Sequence, residues 1–449
     1  MQTQAAISRR NFVTAGAGIA VLSRHVLGRG YQAPSDRLNV ACVGVAGMGR
    51  NNIAECSNEN IVALCDVDDA RAADVYEKYP KAARYKDFRK MLEQEKTIDA
   101  VIVATPDHTH AVIAMMAIKL GKHVYVQKPL SRTIGEARRL AAAAREYKVA
   151  TQMGNQGHSG EGVRLVSEWI RDGAIGPVHE VHCFTNRPRW PQGIGRPVET
   201  PPVPVTLAWD LWLGPAPVRP YHRTYTPALW RAWLDFGCGA LGDMGCHIID
   251  APYTALKLGY PQSVEGCAAD QFIAQRQKFE NHETFPIASV VHYSFPAREN
   301  MPAVELHWYE GGMRPPRPKD LERERNLMFG DGGSIIVGDK GSIICGAYGE
   351  SPRIIPESRM REYQRPPKTL PRITGTHEQN WIDACKGGPA ACSNFDYSGP
   401  LTETVLLGNL ALRFPGELLL WDSTNRTVTN LPAANELLEA KYREGWALS

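Results

Sequence analysis

The chain has 449 residues, 43% of them hydrophobic, and a formal charge of +3. That length exceeds what one hydrophobic core normally supports, and the apolar content is ample for two. The positive charge is local: residues 1–33 hold four Arg and no acid, and removing them leaves −1 for the rest, so nothing points to nucleic acid as a partner.

No apolar run approaches the length of a mature membrane span. Ser8-Arg9-Arg10-Asn11-Phe12, followed by the Ala/Gly-rich stretch Val13 to Leu22, resembles a twin-arginine export signal, with cleavage expected near residues 28–35. The protein is therefore expected to be periplasmic or otherwise exported by that route, and cytoplasmic if the signal is not used; a disordered basic tail is the plainer reading. Proteins taking that route fold first in a reducing cytoplasm. The ten Cys, which show no CxxC pair, are therefore expected to be free and mostly buried.

Val40 to Val43 reads as a buried parallel strand. Gly44-Val45-Ala46-Gly47-Met48-Gly49-Arg50 follows as a glycine-rich turn running into a helix, and a second apolar run ends at Asp66. Glycines here let the backbone approach a pyrophosphate, whose charge the first helical amides would meet. Asp66 lies 22 residues after Gly44, where a carboxylate can accept from both ribose hydroxyls; with Asp68 it would repel a 2′-phosphate, favouring NAD over NADP. Ala46 stands where the usual spelling has its middle glycine.

Helices are expected at Asp69 to Glu77 and Phe88 to Glu95, then a strand from Asp99 to Thr105 that ends in Thr105-Pro106-Asp107-His108-Thr109-His110. A helix from Ala111 to Leu120, a strand from Lys122 to Val126 ending in Gln127-Lys128-Pro129, a helix from Thr133 to Tyr147 and a strand from Val149 to Met153 complete a doubly wound pattern. Such sheets bind ligands at the carboxyl ends of their strands. The expected division is a signal or tail over 1–33, an NAD-binding Rossmann domain over 34–154 and a substrate-binding and oligomerisation α/β domain over 155–449. In the second domain, strands are expected at Val178 to Asn186, Ser263 to Phe272, Ala288 to Phe295, Val304 to Trp308 and Ser334 to Val337. Helices are expected at Val163 to Arg171, Thr376 to Gly387 and Ala434 to Tyr442, with a further strand near Glu417 to Trp421.

The nucleotide turn, the ATPDHTH loop, the GKHVYVQKPL segment and GALGDMGCHIID at 239–250 together resemble the Gfo/Idh/MocA family of sugar and polyol oxidoreductases. The resemblance implies a Rossmann domain followed by a larger α/β domain with an open, mostly antiparallel sheet, often used for oligomer contacts, so a homo-oligomer, dimer or tetramer, is expected. It also implies that Lys128, Asp243 and His247 are the catalytic set. The family writes Glu-Lys-Pro where this chain has Gln127-Lys128-Pro129.

Elementary chemistry points to the same three residues. Asp243 and His247 are four apart in a helix-compatible stretch and share a face, histidine can take a proton near neutrality, and a lysine favours a developing alkoxide. Singly, a Lys before Pro is more often a surface charge and an Asp/His pair a helix salt link; their joint placement downstream of a nucleotide fold favours the catalytic reading. Thr105, Pro106, His110, Gln127 and Lys128 join Gly44, Ala46, Gly47, Met48, Gly49, Arg50 and Asp66 as expected cofactor contacts. Asn155 and Gln156 follow a strand end, and Arg187 and Trp190 lie on a Pro-rich loop; these four are the expected substrate contacts. The aromatic residues of 190–233 can stack on a pyranose, though core packing accounts for about half of them. No metal is expected: the His108-x-His110 pair lacks completing ligands, and His179 and His182 read as ordinary strand residues.

An exported NAD enzyme must keep and regenerate its cofactor on site. Three readings follow in order: an oxidoreductase acting on a CH–OH group of a sugar, polyol or glycoside; a redox-neutral NAD-dependent glycosidase working by transient oxidation and elimination; and a non-catalytic NAD or sugar sensor.

Overall fold

The computed structural model of the protein describes residues 36–327 and 330–448, so Arg9 and Arg10 lie outside the described residues. The first half runs β1 (Asn39–Val43), α1 (Met48–Glu55), β2 (Asn60–Cys65), α2 (Asp69–Lys78), β3 (Ala83–Tyr85), α3 (Phe88–Gln94), β4 (Ala100–Val103), α4 (Asp107–Lys119), β5 (His123–Val126), α5 (Ile134–Tyr147) and β6 (Thr151–Met153). These strands form one parallel sheet in the order β3-β2-β1-β4-β5-β6. That is the doubly wound order, with its ligand crevice where the winding reverses, between β1 and β4. The buried strands are near-continuous apolar runs because helices cover both faces.

Local chemistry sets the helix ends. α5 opens on a capping box in which the Thr133 side chain accepts from Glu136 N–H and the Glu136 carboxylate accepts from Thr133 N–H. α4 begins at Asp107, four residues before the expected Ala111, because Pro106 has the fixed φ that suits helix entry and no N–H to leave unpaired.

The second half contains α6 (Glu161–Arg171), β7 (Val178–Thr185), α7 (Trp209–Leu213), α8 (Gly239–Ile248), α9 (Asp250–Ala255), β8 (Ser263–Ala268), β9 (Phe272–Ala274), β10 (Gln277–Lys278), β11 (Ser289–Phe295) and β12 (Val304–Glu310). It continues through β13 (Gly332–Gly338), β14 (Gly341–Gly346), β15 (Arg353–Ile355), α10 (Glu357–Glu362), α11 (His377–Cys385), α12 (Phe395–Ala411), β16 (Leu418–Asp422), β17 (Thr427–Val428) and α13 (Pro432–Asn435). Nine of these strands form a sheet in the order β15-β14-β13-β7-β12-β11-β8-β16-β17, with β7 and β12 parallel and the other pairs antiparallel. One face packs on α8 and α12 through Leu241, Met244, Val405, Tyr293 and Trp308. Among the described residues, no helix is long and apolar enough to cross a membrane.

Strands β3, β14 and β15 had no expected counterpart, and two further elements differ from expectation. α12, 17 residues long, has no amphipathic stripe because nearly every side is buried, and Gly399-Pro400 reads locally as a turn. The expected helix over Ala434 to Tyr442 is instead the single turn α13. Beyond it the chain is held against α5: Leu438 C=O accepts from Gly135 N–H, and the Tyr442 hydroxyl donates to Glu136 Oε1. All ten Cys are unpaired, and seven of them are buried.

Candidate active site

The glycine turn is built for close approach. Gly44 has φ +81°, and a Cβ on it would lie 2.6 Å from Ala104 O; a Cβ on Gly49 would lie 1.9 Å from Gly44 O. Gly47 has φ +57° and nothing within 4 Å of where its Cβ would be, so it faces open space. α1 starts directly after it with no side-chain cap, and apart from Gly49 N–H, which donates to Ala46 O, its first amides are available to an anion. These features fit the pyrophosphate of a dinucleotide.

A cavity of about 450 Å³ opens from this turn. Gly44, Ala46, Gly47, Met48, Asp66, Thr105, Pro106, Gln127 and Lys128 line it, as expected from sequence. Arg50 does not; it is paired with Asp74 at 2.9 Å. His110 does not line it either. Its Nδ1 lies 2.9 Å from Pro129 O and its Nε2 2.8 Å from Thr105 O, so it braces the two loops that do. His108 spans Phe236 O and Trp212 O in the same manner, tying α4 to the second domain, and burial pushes it down to about 3.

Asp66 accepts hydrogen bonds from Val45 N–H at 2.9 Å and Asp68 N–H at 3.0 Å, one on each oxygen. Burial raises its pKa. A carboxylate has about four lone-pair directions, so these bonds fix its position and leave acceptor capacity for the ribose. Arg71 and Lys86 also line this end, and the sequence reading did not select them; Arg71 is the cation that would meet a 2′-phosphate. The expected result for Asp66→Ala is weaker NAD binding and a smaller NAD-to-NADP preference, measured as a ratio of dissociation constants. An unchanged ratio would show that another residue reads the 2′ position.

The far end of the cavity is closed by Lys128 and Arg231. Both hold Asp243: Lys128 Nζ donates to its Oδ1 at 2.8 Å and to its main-chain oxygen at 2.5 Å, and Arg231 Nε donates to Oδ1 at 2.9 Å. Arg187 Nε lies 3.5 Å from the other oxygen. Although burial works against ionisation, Lys128 and Arg231 hold the Asp243 carboxyl well below its usual range. The Lys128 and Asp243 side chains are only 11% and 9% exposed, so this pair is weakly screened.

His247, one turn further along α8, is buried, with its ring 4.8 Å from Tyr348. Burial, helped by Lys128, pushes its pKa down to about 3. The imidazole is therefore neutral at working pH, and among the described residues its buried Nδ1 has no hydrogen-bond partner. Asp243 and His247 stand just behind the cavity wall rather than on it.

Asp107, in the Thr105–His110 loop, is a site residue that the sequence alone does not mark. It lies at the first turn of α4, on the cavity wall and 4% exposed. Burial pushes its carboxyl up to about 7, with Arg231 and Lys128 opposing. The unfolded chain releases this proton near pH 3.9 and the folded chain near 7, so in between the folded state holds the extra proton and loses stability as pH rises. Asp107→Asn removes that loss. Its stability relative to wild type is expected to rise by up to about 1.4 kcal/mol per pH unit between about 4 and 7, read from denaturant midpoints at one nucleotide concentration; a constant difference would contradict the assignment.

The expected substrate contacts divide. Arg187 joins the Asp243 cluster and also pairs with Asp331 at 3.1 Å. Trp190 lies near it, with the Arg231 guanidinium 5.7 Å from its ring centre and its indole N–H donating to Gln192. Asn155 is drawn instead into a buried network around Asp250, to which His158 and Tyr397 also bond. Gln156 opens the turn Gln156–Ser159, whose Gly157 backs onto Tyr348, and does not line the cavity. Of the aromatic group, Trp212, Tyr225, Trp230 and Trp233 are core, while Trp190, Trp209 and Tyr221 are partly buried against them.

The second domain supplies one wall of the nucleotide cavity through Leu207, Leu211, Trp212 and Trp446. Ala208 N–H donates to Val67 O and Asp69 N–H to Thr206 O, so residues 206–208 are strapped onto the chain just past β2. Trp446, close to the carboxyl end, packs 6.1 Å from Phe88, with the Arg89 guanidinium 4.5 Å from its ring centre. Nothing in the local sequence marks Trp446, because Phe88 and Arg89, the residues it packs on beside the cavity, are more than 350 positions away.

The fold and this site define a dinucleotide-binding α/β protein with a lysine, aspartate and histidine set where its two halves meet. The chain belongs to the Gfo/Idh/MocA oxidoreductase family. Residues 38–155 match the family's NAD-binding Rossmann fold and residues 177–272 its C-terminal α/β domain. A myo-inositol 2-dehydrogenase of Thermotoga maritima is 26% identical over 155 residues, 33% of this chain and 46% of that protein, so the match spans about half the relative's length. Two solved structures share the fold. The WlbA dehydrogenase of Bordetella pertussis, in complex with NADH and UDP-GlcNAcA, is 17% identical at TM-score 0.58, covering 86% of this chain and 99% of that one. An inositol dehydrogenase homologue of Azotobacter vinelandii, complexed with NADH and myo-inositol, is 16% identical at TM-score 0.54, covering 86% and 98%.

Proposed function

We propose that this protein is an NAD-dependent oxidoreductase that acts on a CH–OH group of a sugar, polyol or glycoside and keeps its cofactor bound. The observation that carries this reading is Lys128, which lines the nucleotide cavity while its ammonium grips Asp243 one helical turn from His247. NAD, when bound, supplies a hydride acceptor. The glycine turn and the uncapped start of α1 would hold its pyrophosphate, and Asp66 its ribose.

Around the reacting carbon the protein provides charge and a proton acceptor. Lys128 and Arg231 outnumber the Asp243 carboxylate, with Arg187 shared between Asp243 and Asp331, which leaves a positive field where an alkoxide would develop. His247, whose Nδ1 has no partner among the described residues, is the group of this set that would take the hydroxyl proton, with burial working against its basicity. Arg187 beside Asp243, Trp190 beside Arg231 and Tyr348 beside His247 would contact a sugar ring held against this set. The substrate class is supported by the relatives, whose own ligands are ring polyols and sugars.

Retention of the cofactor is supported by the Thr206–Ala208 strap and by Trp212 and Trp446, which close the cavity from the second domain. Export by the twin-arginine route, and a homo-oligomer built on the large sheet, belong to the same proposal. Supplying an aryl glycoside without an acceptor tests the reaction class: reduced nicotinamide and no free aglycone is the expected result. Released aglycone without net reduction would make the protein a redox-neutral glycosidase, and neither product would leave a sensor.

A further inference from the structure

The nine-stranded sheet carries a side-chain cluster that neither the nucleotide cavity nor the catalytic set uses. Strands β7, β12 and β11 are neighbours, and their registers place His182 opposite His307 and His307 opposite His292. These imidazoles alternate with the core residues Val181, Leu306 and Val291, so they stand on the sheet face turned away from the core. Glu180, two residues before His182 on the same strand, shares that face.

The donor atoms converge. Glu180 Oε1 lies 3.3 Å from His182 Nε2 and 3.3 Å from His307 Nε2, and the three atoms fall within 4.8 Å of one another. Ligands bound to a tetrahedral zinc at about 2.0–2.1 Å are about 3.3 Å apart. Two of the three separations therefore already have the spacing of a coordinated set.

The other ring nitrogens are occupied as metal-bound histidines require. His182 Nδ1 lies 3.2 Å from the Tyr309 hydroxyl, and His307 Nδ1 lies 2.6 Å from His292 Nδ1. With Nδ1–H donating to these partners, each Nε2 would present its lone pair to a cation. The site is reachable, since the Glu180 side chain is 44% exposed. The competing arrangement is a cross-strand hydrogen-bond cluster in which both Nε2–H groups donate to Glu180 and neither nitrogen can bind a cation.

We infer that Glu180, His182 and His307 form a binding site for a zinc-type divalent cation, with water in the fourth position. A cation there joins β7 to β12, the parallel pair in an otherwise antiparallel sheet. This inference does not depend on the reaction proposed above.

The test uses the full-length protein, stripped with a chelator, dialysed, and titrated with Zn²⁺ and separately with Co²⁺. Expected is one equivalent of zinc per chain, a rise in thermal midpoint on zinc addition, and a cobalt spectrum of a tetrahedral nitrogen and oxygen site. His307→Ala and Glu180→Gln should lose stoichiometric binding and the thermal rise while keeping wild-type circular dichroism and NAD content. His292→Ala should keep one site but weaken it by about 10–100-fold. Absence of stoichiometric zinc binding in the wild-type chain would overturn the site. Unchanged binding in His307→Ala and Glu180→Gln, or thiolate charge-transfer bands with cobalt that place the metal on cysteine, would overturn it equally.

Discussion

Replacing His247 with Ala is expected to lower turnover by about 10²–10⁴-fold while leaving NAD binding nearly unchanged. The separation of the two effects follows from position. The cofactor cavity ends at Lys128 and Arg231, and His247 lies behind them on the Tyr348 side. Its buried Nδ1 makes no bond to protein among the described residues, so truncation leaves no protein partner of that atom stranded, only an absent proton acceptor. Asp243 should keep its place, because Lys128 and Arg231 hold it independently. Turnover and nucleotide content measured on the same preparation check this: near-wild-type turnover would remove His247 from the reaction, and parallel loss of nucleotide would make its role structural.

Gly49→Ala should act on the opposite half of the site, weakening NAD binding by about 10–100-fold. A Cβ there would lie 1.9 Å from Gly44 O and 2.9 Å from Gly44 C, which are backbone atoms that cannot rotate aside. Forcing such a group into a packed position costs about 1–3 kcal/mol, and each 1.4 kcal/mol is about a factor of ten in affinity. The strain moves Gly44 and the start of α1 together, and those are the parts that would face the pyrophosphate. Gly47→Ala meets no neighbouring atom, so its cost should come from its φ of +57° and be smaller. Equilibrium binding of NAD to the two variants checks the order; equal losses would mean that backbone strain, not contact, governs the turn.

The Rossmann half was legible because its signals are local. Strand, glycine turn, helix and acid follow one another within residues 40–66, and the doubly wound alternation continues to Met153, although the short edge strand β3 carried no readable signal. Lys128 and Asp243 were found because each sits in a compact motif, even though 115 positions separate them. Arg231, Tyr348 and Trp446 were not, since long-range packing alone brings them to the site. Asn155 shows the converse. A polar residue after a strand end looked like a substrate contact, but the buried Asp250 carboxylate nearby claims its amide. α12 escaped for a third reason: a helix buried on all sides carries no periodicity to read.

The account centres on a bound NAD that oxidises a sugar or polyol hydroxyl, and nucleotide analysis of denatured protein tests it directly. Protein purified without added nucleotide is divided, one portion is incubated with a panel of sugars and polyols without acceptor, and both are denatured and their NAD⁺ and NADH counted per chain. The account predicts a total approaching one equivalent, passing from NAD⁺ to NADH in at least one incubation. Essentially no nucleotide with only weak rebinding, or a full equivalent whose redox state no sugar or polyol changes, would contradict it.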